Sequence, residues 1–60
     1  MFFSIIIVDG VQIARGFFAE SRTQSARNAF DHFLSNVPFE GIVSVQIETE
    51  EIPSDLPFAN

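Results

Sequence analysis

The dipeptide Asp9-Gly10 lies between two runs of residues that favour β-strands. Residues 2–8 and 11–18 are both rich in Phe, Ile and Val, which are enriched in strands. A two-residue Asp-Gly loop adopts a type I′ turn, in which both residues take positive φ angles, and it is a strong local signal for a β-hairpin. The chain is therefore expected to begin with a hairpin.

The turn also predicts which residues pair across the hairpin. Four pairs are expected to share one face: Val8 with Val11, Ile6 with Ile13, Ser4 with Arg15, and Phe2 with Phe17. The other face is expected to carry Phe3, Ile5 and Ile7 opposite Gly16, Ala14 and Gln12. Small residues at 14 and 16 would let a helix lie across this second face. Gly16 also fits a β-bulge, which would shift the pairing beyond it.

A helix is predicted from Arg22 to Val37. Ser21 and Gln24 have the spacing of a capping box, in which each side chain bonds the other residue's backbone N–H. Apolar residues then recur with helical spacing at Ala26, Ala29, Phe30, Phe33, Leu34 and Val37. Asn36 and Pro38 are expected to end the helix.

A third strand is predicted over residues 42–48, where Val43, Val45 and Ile47 alternate with polar residues. The order strand, strand, helix, strand favours a three-stranded sheet with the third strand antiparallel beside the first. The predicted fold is therefore α+β, with one helix on one face. Val43, Val45 and Ile47 would meet the helix together with Phe3, Ile5 and Ile7. One domain is expected over residues 1–52, followed by an extended tail over residues 53–60.

One helix covers only one side of such a sheet. The uncovered side is expected to carry an apolar set for self-association or partner binding: Phe2, Ile6, Val8, Val11, Ile13 and Phe17. Soluble monomers rarely expose large apolar patches, and a chain of 60 residues without cysteine has a small core and no disulfide. We therefore expect a homodimer. The alternative is a monomer whose tail covers this side through Ile52, Leu56 and Phe58.

The charge is strongly asymmetric, with three arginines, no lysine, eight acidic residues and a net charge of −5. This argues against direct nucleic-acid binding and against docking on anionic membranes, since both depend on Lys and Arg. It suits a protein partner with a basic surface. The candidate acidic contacts are Glu48, Glu50, Glu51 and Asp55. Glu48 and Glu50 would lie about 7 Å apart along a strand, close to the spacing of phosphates on one DNA strand. The simpler alternative is that these acids only keep the protein in solution.

The last residues offer a second type of contact. Leu56 and Phe58, with acidic residues before them, resemble the anchors of a docking peptide. Ordinary fraying of a C-terminus is the alternative.

Catalytic residues are not predicted. His32 is the only histidine, cysteine is absent, and the three glycines do not have phosphate-binding spacing. We expect no enzyme activity, no metal and no cofactor. The lack of cysteine fits a cytoplasmic protein.

Three features of the sequence resemble those of small acidic phage and mobile-element inhibitors. They are the hairpin at Asp9-Gly10, the helix from Arg22 to Val37, and the strand that ends in Glu48, Glu50 and Glu51. These include anti-CRISPR proteins and the dimeric, DNA-mimicking inhibitors of uracil-DNA glycosylase. The resemblance implies an inhibitor that covers the surface of a host defence or nucleic-acid-handling protein in the host cytoplasm. The alternative is a structural or accessory subunit that completes a larger assembly through its apolar sheet face.

Overall fold

The computed structural model describes residues 1–53, which form one sheet and one helix. The elements are β1 (Phe2–Val8), β2 (Val11–Ala19), α1 (Arg22–Asn36) and β3 (Val45–Glu51). The strands are antiparallel in the order β2-β1-β3, and α1 packs on one face. The predicted α+β fold, with the third strand beside the first, is confirmed. Within residues 1–53, no helix has the length and apolar character needed to cross a membrane.

The hairpin turn forms as its sequence predicts. Asp9 and Gly10 have φ angles of 49° and 83°, the positive values that a type I′ turn needs. The Asp9 carboxylate also accepts hydrogen bonds from the backbone N–H groups of Val43 and Ser44, at 2.9 and 2.8 Å. The Asp9 N–H donates to the Ser44 carbonyl at 3.0 Å. The turn thereby fixes the segment that leads into β3.

The predicted pairing between β1 and β2 holds only next to the turn. Val8 pairs with Val11, but Ile6 pairs with Ala14 instead of Ile13 because β2 contains an extra residue after Gln12. This bulge brings a small side chain opposite Ile6, where α1 lies closest. The predicted pair of Ile6 with Ile13 is therefore wrong.

A second irregularity follows at the end of β2. Ser4 pairs with Gly16 and Phe2 pairs with Ala19, so the predicted partners Arg15 and Phe17 are also wrong. Gly16 and Phe17 have φ angles of 130° and 55°, which supply the local twist of a bulge. The bulge that Gly16 indicates in the sequence is present in the strand.

The helix covers the opposite face of β1 from the one predicted. Ser4 and Ile6 are fully buried beneath α1, as are Ser25 and Ala29 of the helix. Three of these four side chains are small, so the helix can approach the sheet closely. Phe3, Ile5 and Ile7, which were predicted to meet the helix, lie on the side away from it.

The predicted uncovered apolar set is consequently misplaced. Ile6 is a core residue, and Val8 and Phe17 pack against the core. Only Val11 and Ile13 are largely exposed, at 62% and 46%. Phe2 is half-buried, with the Arg22 guanidinium 5.2 Å from its ring centre.

The buried face of α1 is shifted from the predicted stripe. Ser21 caps the helix by accepting the N–H of Gln24 at 3.0 Å. Ala29 and Phe33 are buried, whereas Phe30 and Leu34 are each 48% exposed. Successive helical residues are about 100° apart, so a narrow three-stranded sheet covers the 25-29-33 line and leaves the next line open.

The third strand begins later and continues further than its alternation predicted. Val43 precedes the strand and is 91% exposed, so its predicted contact with the helix is wrong. Ile47 pairs with Ile6 and packs on the core, and Val45 pairs with Val8. The strand extends through Glu51, and the Ile52 N–H donates to the Met1 carbonyl at 2.8 Å. The predicted contacts at Asp55, Leu56 and Phe58 lie outside the described residues.

Candidate binding surface

The face of the sheet opposite α1, which we call the open face, carries the candidate site. Its side chains come from all three strands: Phe3, Ile5 and Ile7 of β1; Gln46, Glu48 and Glu50 of β3; Gln12, Arg15 and Phe18 of β2. Neither the helix nor another strand layer covers this face in residues 1–53. An apolar row from the central strand therefore runs between two rows of mainly polar residues.

Arg15 and Glu48 are placed on either side of this apolar row by the strand register. Ile5 pairs with Arg15 on one side and with Glu48 on the other. Two strand spacings separate the two charged residues, about 10 Å between their Cα atoms. The open face thus has a cation and an anion at the same level, on opposite flanks.

The aromatic end of the open face contains a shallow cleft of about 370 Å³, lined by Phe3, Arg15, Gly16, Phe18 and Ile52. The Arg15 guanidinium lies 5.7 Å from the centre of the Phe3 ring, within the range of a cation–π interaction. The Phe3 and Phe18 ring centres are 6.2 Å apart. Because Gly16 has no side chain, the floor of the cleft stays open between these groups.

The predicted acidic set is divided between the two faces of β3. Glu48 and Glu50 are exposed on the open face, opposite Ile5 and Phe3, at a spacing of about 7 Å. The Gln46 side-chain amide donates to Glu48 at 2.9 Å. Glu51 pairs with Phe2 and is exposed on the helix side of the sheet.

The backbone edge of β3 runs alongside these acids. It is an outer strand of the sheet, and its register with β1 is continuous from Val45 to Glu51. Edge strands expose unpaired N–H and C=O groups that another chain can bond. Among the described residues, the acidic end of β3 therefore combines exposed charge with a regular strand edge that no further strand pairs.

A second exposed apolar group lies on the helix side. Phe30 and Leu34 are half-exposed on adjacent turns of α1, and Phe39 is 58% exposed with its ring centre 5.5 Å from that of Phe33. The sequence signal for this group is the apolar stripe of α1, which is wider than one small sheet can cover. Helical spacing alone does not distinguish the buried part of such a stripe from the exposed part.

The polar chemistry of the described residues is limited. No group of three or more His, Asp or Glu side chains within residues 1–53 is placed to hold a metal ion. His32 is exposed, its Nδ1 is 3.4 Å from the Asn36 amide nitrogen, and its ring centre lies 5.2 Å from that of Phe17. The open face offers apolar contact, one cation and two carboxylates, a combination suited to recognising another surface.

Sequence reasoning missed five residues of the site, namely Phe3, Ile5, Ile7, Arg15 and Phe18. Strand alternation places the first three on one face correctly, but that face was predicted to lie under the helix. The one sequence signal is Ser4, a small polar residue in an otherwise bulky strand, and it fits a solvent-facing position as well as a position under a helix. No protein-family model, curated protein or solved structure was found to match this chain.

Proposed function

We propose that this protein is a small, non-enzymatic protein-binding module that inhibits a host protein by covering part of its surface. The observation that carries the proposal is the acidic end of β3. Glu50 and Glu51 are both exposed there, on opposite faces of an outer strand whose outer edge is not paired by any strand within residues 1–53. A basic surface or an extended basic segment would meet carboxylates on both sides of this strand.

The distribution of the arginines supports this assignment. Arg22 donates to the Thr49 carbonyl at 2.8 Å and lies over the ring of Phe2, and Arg15 lies over the ring of Phe3. The charges of Arg15 and Arg22 thus lie against apolar and backbone groups, Arg27 is exposed on α1, and eight acids give the chain a net charge of −5. Such a field accelerates encounter with a basic partner and disfavours acidic ones.

The spacing of the acids supports a partner that normally binds nucleic acid. Glu48 and Glu50 repeat at about 7 Å along β3, which approximates the phosphate spacing of a DNA strand. A host protein that normally binds nucleic acid carries a surface matched to this spacing. The proposed inhibitor would occupy that surface in place of the nucleic acid.

The exposed apolar group on the helix side favours a second candidate function. Phe30, Leu34 and Phe39 would suit an accessory subunit that completes a larger assembly. In that case Leu34→Lys should abolish assembly, and loss of the acids on β3 should have no effect.

The test is comparative capture from nuclease-treated lysate of the native host. Tagged wild-type protein is compared with Glu50→Lys/Glu51→Lys and with a matched control, Asp31→Lys/Glu40→Lys, which makes the same charge change at exposed residues elsewhere. The proposal predicts one protein captured by the wild type and the control but not by the β3 variant. Equal capture by all three proteins would contradict it. Leu34→Lys is captured alongside them as a fourth protein, and loss of the partner with this variant alone would favour the accessory subunit.

A further inference from the structure

We propose that the open face is an interface between two copies of this chain, in which Glu48 of each copy binds Arg15 of the other. It uses Arg15, Glu48 and the apolar row of β1. Because Glu48 and Glu50 both lie on the open face, the dimer would cover them, and host binding at these carboxylates would require the free chain. Self-association also compensates for the small size of the core, since Ile6, Ala29 and Phe33 are the only buried apolar side chains among residues 1–53.

The strand register makes this face self-complementary. Arg15 and Glu48 both flank Ile5, at the same level along β1. A twofold axis in the interface parallel to β1 keeps that level and exchanges the two flanks. Each Glu48 then lies over Arg15 of the other copy, and the two ion pairs are equivalent by symmetry.

Another axis does not give this match. A twofold axis across the strands would place β3 over β3, with Glu48 and Glu50 of both copies on the same side. Like charges placed together in an interface disfavour that arrangement. The charges therefore select the axis parallel to β1.

The distances fit side chains of this length. Packed sheets lie about 10 Å apart, a gap that Arg and Glu can bridge from opposite sides. Aligned sheets cross at about 30°. Glu48 lies one strand away from the twofold axis, so this crossing shifts it by about 2.5 Å along the strand direction relative to Arg15 of the other copy. The pair stays within reach, and Phe3, Ile5 and Ile7 pack on their counterparts along the axis.

The area of the face predicts a weak dimer. Three strands of seven residues span roughly 15 by 23 Å, a footprint of about 350 Å². Stable interfaces bury about 800 Å² on each partner. We therefore expect a weak dimer that forms only at high protein concentration, so the charges decide whether association occurs.

A charge-exchange experiment tests the interface. Sedimentation equilibrium is measured for the wild type, Arg15→Glu, Glu48→Arg, and an equimolar mixture of the two variants. The wild type should give twice the 6.7 kDa chain mass at high micromolar concentration. Each variant alone should dimerise at least about tenfold more weakly, because both symmetric pairs become repulsive. The mixture should form a heterodimer, since one pair is then the original Glu48 with Arg15 and the other joins the two introduced residues with their charges exchanged.

Two further variants complete the test. Glu51→Arg makes the same charge change on the helix side of β3 and should dimerise like the wild type. Arg15→Glu/Glu48→Arg within one chain should also dimerise, which shows that a loss in the single variants is not misfolding. A monomeric wild type would overturn the proposal and assign the open face to a different occupant. Single variants that dimerise normally, or a mixture that stays monomeric, would overturn it as well.

Discussion

Arg15 and Glu48 flank the same residue, Ile5, from the two outer strands of the sheet. The bulge after Gln12 produces this relationship, because without it Arg15 would pair with Ser4 on the helix side. One extra residue in β2 therefore decides whether the chain's positive charge at position 15 lies under the helix or on the open face. The same extra residue brings Ala14 opposite Ile6 in the sheet. The bulge therefore determines both which side chain packs beside Ile6 in the core and which charge lies on the open face.

Salt should weaken self-association. The proposed dimer depends on two exposed ion pairs, and ionic screening shortens their range from about 10 Å at 0.1 M to about 3 Å at 1 M salt. We expect the dissociation constant measured by sedimentation to rise several-fold between roughly 0.05 M and roughly 0.5 M NaCl because of this screening. A dimer held only by the apolar row would become tighter or stay unchanged, which would contradict the role of Arg15 and Glu48.

Removing the Ser25 hydroxyl should destabilise the fold. Ser25 Oγ donates to the Phe17 carbonyl at 2.7 Å and is 2.7 Å from Ser4 Oγ, and both serines are fully buried. Ser25→Ala is expected to lower the free energy of unfolding by about 1–3 kcal/mol, since buried partners are left with fewer bonds. Urea denaturation measures the change. Ser35→Ala, at an exposed position on the same helix, is the control and should have little effect.

Much of the fold could be predicted because its signals are local. The turn at Asp9-Gly10 and the cap at Ser21 each depend on neighbouring residues, so the sequence contains all the information they need. The order of the strands follows from general rules on how strands and helices connect. None of these features requires knowledge of a contact between distant parts of the chain.

The choice of the buried face could not be predicted locally. Both faces of β1 are apolar, and alternation alone does not say which one meets the helix. Contacts distant in sequence decide it, namely Ser4 with Ser25 and with Thr49, at 2.7 and 2.8 Å. The bulge after Gln12 likewise reflects the fit of Ala14 beneath α1, and no glycine or proline marks it.

Gly16 should be replaceable only by a residue that tolerates a positive φ angle. A Cβ atom at this position has room, since its nearest neighbour would be a Phe18 ring carbon at 4.0 Å, so the φ of 130° is the main obstacle. Gly16→Ala is expected to lower the free energy of unfolding by about 1–3 kcal/mol. A chain of this length is accessible to chemical synthesis, and D-alanine at position 16, which prefers a positive φ angle, should be more stable than L-alanine. Equal stability of the L- and D-alanine proteins would show that the bulge geometry is different.

Asp9 should protect the segment before β3 from hydrogen exchange. Its carboxylate accepts the N–H groups of Val43 and Ser44. Asp9→Gly keeps a residue suited to the positive φ but removes the acceptor, so the Ser44 amide should exchange at least about tenfold faster. Asp9→Asn keeps an acceptor oxygen in the same turn and should show a smaller change. Identical exchange in the two variants would mean that the carboxylate does not hold this segment.

The central claim, that the acidic end of β3 binds a host protein, is tested most directly by quantitative capture from nuclease-treated host lysate. The quantity measured is the ratio of each captured protein between the wild type and Glu50→Lys/Glu51→Lys. We predict one protein whose capture falls at least about tenfold in the variant, as expected when attraction to a basic surface is replaced by repulsion. The same protein should be retained by Asp31→Lys/Glu40→Lys. A ratio near one for every captured protein would contradict the claim.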